Sequence, residues 1–342
     1  MLSVARSCRA SLPVAKALFN TTVCPTRAPT VNSSVLKNVL WKNFSNEGRD
    51  PFTRTARRRR TLKEIAMQPT QGTPFAVGQM AVAGGAVVGI GALCFYGLGL
   101  ASKPGAIDQA MLWPEYVKDR VRTTYMYLGG SIALTAASAV ACFRSPAMIR
   151  LMSRNSLLAV AGTFAAMIGT SMVVHNIPYQ PGVGAKQLAW AVHVGVMGAL
   201  IAPMCLLAGP LAIRAAWYTA GVVGGLSAVA VCAPSDKFLT ISGPLAIGLG
   251  VVLVSSLGSA FLPATSALGA GLYSISLYGG LLLFSGFLLY DTQRIIRAAE
   301  THPINAPVPF DPVNASISVY IDTLNIFIRI LAILMGNDRK RR

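Results

Sequence analysis

Long apolar blocks with almost no charge are the feature of this sequence that most limits its fold. About eight blocks reach the roughly 20 residues that an α-helix needs to cross a bilayer. Their approximate bounds are Phe75–Leu100, Thr124–Phe143, Ser156–Ile177, Gln187–Ala208, Leu211–Ala233, Phe238–Leu262, Leu268–Tyr290 and Ile317–Gly336. Backbone polar groups cannot stay unpaired in lipid, so such blocks must be helical. The sequence predicts an all-α, polytopic membrane bundle of about eight transmembrane helices.

The distribution of charge fits the same plan. The net charge is +18, yet only 12% of the residues are charged, against about 25% in a soluble domain. The basic residues concentrate at the N-terminus, in short loops and at the C-terminus, as the positive-inside rule expects. Basic residues do not alternate with aromatic ones as in a base-stacking surface, so nucleic acid is not expected as a partner.

The N-terminal segment has the composition of a targeting sequence. Residues 1–46 are rich in Ser and Thr, carry spaced Arg and Lys, and contain no Asp or Glu. This composition is typical of a cleaved mitochondrial presequence, and with the apolar blocks it predicts a multi-pass protein of the mitochondrial inner membrane. A basic matrix segment, residues 47–74, would follow. Its run of arginines would fix orientation and contact membrane lipid such as cardiolipin; the run includes Arg57, Arg58, Arg59 and Arg60.

Charge also predicts the topology. Eight crossings place both termini in the matrix, where the loop between the second and third blocks and the tail 337–342 are strongly basic. The opposite side receives the loop 101–123, in which acidic and basic residues nearly balance. On this side Lys186 is the charge for which the sequence suggests no partner.

Motifs of catalysis are absent from the sequence, so an enzyme and a resident cofactor are not expected. The six cysteines form no CxxC or Cys/His cluster, and those within the blocks are typical small packing residues.

Two acidic residues stand out because they fall in the apolar blocks near the last loop. Asp291 ends the seventh block in FLLYDTQRIIR, and Asp322 lies within the eighth in SVYIDTLNIFIRIL. An ionisable residue in a spanning helix indicates a functional site by default. Asn325 and Arg329 follow Asp322 at i+3 and i+7 and so share its helix face.

Two interpretations of these acids stay open. In the simpler one, Asp291 pairs with Arg294 at i+3, and Asp322 pairs with Arg329 or with backbone groups. In the other, the two carboxyls approach each other and share a proton, because two neighbouring carboxylates in an apolar site cannot both ionise easily. Deprotonated, the pair offers hard oxygen ligands for a transient Ca²⁺; Ca²⁺ and H⁺ would then be transported ions.

At these residues the sequence resembles the transmembrane Bax-inhibitor-motif family. The resemblance is carried by the YD of the seventh block and the YxDxxN of the eighth, and it extends more weakly over about residues 120–336. It implies a seven-helix core, residues 124–336, preceded here by the extra helix 75–100. It also implies that Asp291 and Asp322 form a pH-responsive pair that gates calcium.

Further expectations come from the resemblance alone. It implies roles in cristae organisation and apoptosis, including an association with cytochrome c. Some family members carry additional charges in an early core helix, whereas Ser156–Ile177 contains no Asp, Glu, Lys or Arg. Two hypotheses follow: a Ca²⁺/H⁺ antiporter or pH-gated calcium leak, and a structural or interaction protein of the inner membrane without intrinsic transport.

Overall fold

The structure, a computed structural model, describes residues 72–101, 105–144, 157–234, 236–263 and 265–341. The predicted presequence, most of the basic segment 47–74 and Arg57, Arg58, Arg59 and Arg60 lie outside the described residues. The helices are α1 (Thr73–Gly97), α2 (Ala106–Gln109), α3 (Glu115–Phe143), α4 (Leu157–Asn176), α5 (Ala185–Ala208), α6 (Pro210–Cys232), α7 (Ser242–Phe261), α8 (Ala267–Ser274), α9 (Gly280–Thr301) and α10 (Pro312–Arg341). A 3₁₀ turn, Leu239–Ile241, precedes α7, and a π-helix, Ile275–Gly279, joins α8 to α9.

Seven helical segments in the described part of the chain are long and apolar enough to cross a membrane. One of them is the continuous run Ala267–Thr301, which contains α8, the π-helix and α9. The 20-residue helix α4 occupies the position of the remaining predicted block. The predicted class, a polytopic helical membrane bundle, is confirmed.

The division between α5 and α6 follows from two adjacent residues. Gly209 adopts a positive φ of 54°, which glycine tolerates because it lacks a Cβ atom. Pro210 then begins α6, where its missing N–H costs nothing. This Gly-Pro pair turns the chain back within a single residue between two spanning helices.

The loops that follow α1, α4, α6 and α9 lie together at one end of the bundle, called here the loop end. The Trp113 Nε1 group donates to Glu300 Oε1 at 2.8 Å. Arg120 Nη1 donates to the carbonyl oxygen of His302 at 2.8 Å. The beginning of α1 lies instead beside α8, where Ser274 Oγ donates to the carbonyl oxygen of Pro74 at 2.7 Å. The two ends of α1 therefore lie at opposite ends of the bundle.

The last two long helices form the centre of the bundle. Leu288 on α9 and Tyr320, Ile326 and Leu331 on α10 are fully buried. The Tyr320 hydroxyl and the Thr135 hydroxyl of α3 are hydrogen-bonded at 2.6 Å. Helix α1, by contrast, has no fully buried residue in its most apolar stretch, as expected of a helix at the lipid-facing edge.

Candidate functional site

Asp291 of α9 and Asp322 of α10 meet inside the bundle. Their side chains are within hydrogen-bonding reach of each other, and the residues are only 6% and 5% exposed. Helix α9 continues past its apolar block to Thr301, so both residues lie deeper than their blocks suggest. At 1.5 Å per residue, each is about 15 Å along its helix from the loop end.

The surroundings of the pair supply few hydrogen-bond donors. The Ser318 hydroxyl, one turn before Asp322 on α10, is within reach of Asp291. Asp322 Oδ2 is buried and has no hydrogen-bond donor among the described residues. A buried carboxylate without compensation is costly. The pair therefore requires either a proton shared between the two carboxyls or a bound cation.

Arg294 reaches the pair from the protein surface. Its Nη1 lies 3.6 Å from Asp291 Oδ1, while its side chain is 63% exposed. The i+3 contact expected from the sequence is therefore present, and it coexists with the approach of the two aspartates. Water screens such an exposed charge strongly, so Arg294 compensates Asp291 only in part.

Arg329 does not pair with Asp322. The sequence had left two kinds of partner open for Asp322, Arg329 or backbone groups. Its Nη1 donates to Asn325 Oδ1 at 2.8 Å and to the Asn325 carbonyl at 3.1 Å. Its Nε donates to the carbonyl oxygen of Ser276 at 3.3 Å, and its guanidinium lies 4.5 Å from the Phe284 ring centre. The Asn325 side chain thus binds Arg329 rather than the aspartates.

The pair alone is an incomplete metal site. Groups of three or more His, Cys, Asp or Glu side chains that could hold a metal are not found in the described part of the chain. Calcium prefers six to eight oxygen ligands. Two carboxylates with one nearby hydroxyl therefore suit an ion that passes through with part of its hydration shell, rather than a resident one.

The sequence did not reveal two parts of this region. Nothing in the hydropathy pattern distinguishes the π-helix Ile275–Gly279 from the α-helix around it; the adjacent glycines 279 and 280 are the only local signal. Lys186 was expected to have no partner, and this is wrong. It forms an ion pair with Asp311 at the loop end, in which Lys186 is buried and Asp311 is partly exposed. Folding brings together residues that are far apart in sequence.

These features define a class: a polytopic α-helical membrane protein with a buried carboxyl pair between its last two helices. Residues 117–339 match the family model described as inhibitor of apoptosis-promoting Bax1. The chain therefore belongs to this Bax-inhibitor family. Helix α1 lies outside the matched residues.

Individual relatives agree with this assignment. The chain is 50% identical to the growth hormone-inducible transmembrane protein of Rattus norvegicus over the whole of both chains. It is 33% identical to an uncharacterized membrane protein of Vibrio cholerae, across 54% of this chain and 86% of the relative. Bax inhibitor 1 of Mus musculus is 27% identical, across 54% of this chain and 74% of its own. No solved structure matches the chain.

Proposed function

We propose that this protein moves Ca²⁺ across the mitochondrial inner membrane at Asp291 and Asp322, in exchange for protons or as a proton-gated leak. The observation that carries the proposal is the buried carboxyl pair, with its two side chains in reach of each other. Membership in a family of membrane proteins agrees with it. The presequence-like composition of residues 1–46 supports the mitochondrial location.

The chemistry of the pair makes proton binding and calcium binding exclusive. With one shared proton the two carboxyls hydrogen-bond each other, and one negative charge remains. With no proton they carry two negative charges, which a Ca²⁺ ion neutralises through hard oxygen ligands. Binding a proton therefore removes both charge and ligand atoms from the calcium site. This competition is the minimum that a proton-coupled exchange requires.

The membrane potential sets the direction of flux. Moving the two charges of Ca²⁺ out of a negative matrix costs about 4.6 kcal/mol per 100 mV, at about 2.3 kcal/mol per charge. Calcium efflux by this protein would therefore need protons moving inward. A leak without coupling would carry calcium into the matrix.

The test is calcium flux into liposomes that contain the purified full-length protein under an imposed pH gradient. We expect the gradient to drive calcium movement in the unchanged protein. Asp291→Asn and Asp322→Asn each remove a charge and a site for the shared proton, and each is expected to abolish the coupled flux. The matched control is Asp119→Asn, which neutralises an exposed acid near the loop end and should leave flux unchanged.

The outcomes separate the alternatives. Calcium that moves equally with and without the pH gradient, but depends on both aspartates, indicates a leak. Absence of flux in well-inserted protein contradicts intrinsic transport. It would favour the structural alternative, an inner-membrane protein that organises cristae and retains cytochrome c.

A further inference from the structure

The guanidinium of Arg329 is a cation inside the bundle that no described carboxylate neutralises. The described ion pairs involve other residues, and the partners of Arg329 are uncharged: the Asn325 amide and carbonyl, the Ser276 carbonyl and the Phe284 ring. A guanidinium keeps its proton in proteins. Arg329 therefore places an uncompensated positive charge among the spanning helices.

The fold holds this charge among Ser276, Gly280 and Phe284, which are called here the seat of Arg329. A π-helix disrupts the regular pairing of backbone groups, and the Ser276 carbonyl within it accepts the Arg329 Nε hydrogen bond. At Gly280 the guanidinium occupies the space in which any side chain would begin. The ring of Phe284, one turn further along α9, gives a cation–π contact. The charge is held in place by three separate features.

The same charge lies on the face of α10 that carries Asp322. Arg329 follows Asp322 by two helical turns, and long side chains on a helix point toward its N-terminus, here toward Asp322. The guanidinium binds Asn325, which is one turn from Asp322. The helical rise of 1.5 Å per residue puts the charge roughly 5–10 Å along the axis from Asp322, while its contacts with Phe284 and Gly280 lie roughly 10–16 Å from Asp291 along α9. At this range a positive charge repels Ca²⁺ appreciably in a medium of intermediate polarity.

We propose that Arg329 is a fixed internal counter-charge that weakens calcium binding at Asp291 and Asp322, so that the ion is released rather than retained. This inference rests on the proposed function and assigns Arg329 as a positioning residue of the same pathway. An ion pathway conducts only when its sites bind weakly enough for the ion to leave. Without Arg329, the two carboxylates would hold a divalent cation more tightly.

The test is calcium affinity, measured by calorimetry at one pH on the purified full-length protein in detergent. Arg329→Met removes the charge but keeps apolar volume. We expect it to tighten calcium binding about tenfold or more. Arg329→Gln should act in the same direction and serves as a second neutral variant. Arg329→Lys keeps the charge and should stay within about threefold of the unchanged protein.

Two controls separate this proposal from a structural role and from the proposed function. Arg294→Gln removes the exposed cation beside Asp291 and should alter affinity by less than about threefold. Asp322→Asn should abolish binding. Unchanged calcium affinity in both neutral variants overturns the inference, and so does an equal change in Arg329→Lys. In either case, binding that still depends on Asp322 supports the proposed calcium site. Absence of aspartate-dependent binding overturns both.

Discussion

Lys186 and Arg329 are cations within this bundle that the structure compensates in different ways. Lys186, only 2% exposed, forms an ion pair with Asp311 at the loop end and donates to the Ile177 carbonyl at 2.9 Å. Arg329, nearer the aspartate pair, has only uncharged partners among the described residues. The charge of Lys186 is neutralised by an acid, whereas the charge of Arg329 is not.

The difference is between a cation paired with an acid and a cation held by uncharged groups alone. Asp311 accepts Lys186 and also accepts the backbone N–H groups of Val313 and Asn314 at 3.0 Å, so it caps the beginning of α10. One ion pair thus fixes α4, α5 and α10 to each other. The Arg329 contacts join α10 to the π-helix without a carboxylate. The nearby carboxyls of Asp291 and Asp322 contact each other instead.

The largest expected effect on stability is at the ion pair of the loop end. Lys186→Met leaves Asp311 without its cation and should lower the free energy of unfolding by about 3 kcal/mol, since removing one member of a buried pair strands the other. Urea unfolding in detergent checks this. Lys118→Met is the control: it breaks the exposed pair with Glu115 at 3.0 Å and should cost less than about 1 kcal/mol.

A double-mutant cycle sharpens this prediction. Lys186→Met combined with Asp311→Asn should cost less than the sum of the two single changes, because the stranded charge is gone. Additive losses would show that the two side chains stabilise the loop end independently, and the contrast with Arg329 would then disappear.

The next effect concerns the seat of Arg329. Gly280→Ala puts a methyl group where the guanidinium lies, and relieving this overlap should cost about 1–3 kcal/mol of stability. Gly279→Ala is the matched control on the adjacent residue. Its nearest neighbour would be Ile275 Cγ2 at 3.7 Å, an ordinary contact. Thermal unfolding in detergent compares the two; equal losses would contradict a tightly built seat.

The smallest effect is expected at Arg294. Its side chain is largely exposed and lies 3.6 Å from Asp291, so Arg294→Gln should change the unfolding free energy by less than about 1 kcal/mol. Proton-driven calcium flux in liposomes should persist in this variant. A loss of flux as large as that of Asp291→Asn would place Arg294 in the pathway and weaken the distinction between exposed and buried cations.

The sequence predicted the class of fold and the two acids because both depend on local information. A block of about 20 apolar residues must become a spanning helix wherever it packs, since lipid leaves its backbone no other partners. Asp291 and Asp322 were recognisable because carboxylates are rare in such blocks. The break at Gly209–Pro210 likewise depends on the intrinsic conformations of these two residues.

The partners of the charged side chains were decided only by the tertiary structure. Arg329 shares a helix face with Asp322, yet it binds a carbonyl of the π-helix on another chain segment. Lys186 finds Asp311 across more than a hundred residues. The sequence by itself determined which segments enter the membrane and which acids lie within them. Which charges are neutralised depends on distances between helices, and those are set by packing rather than by spacing along the chain.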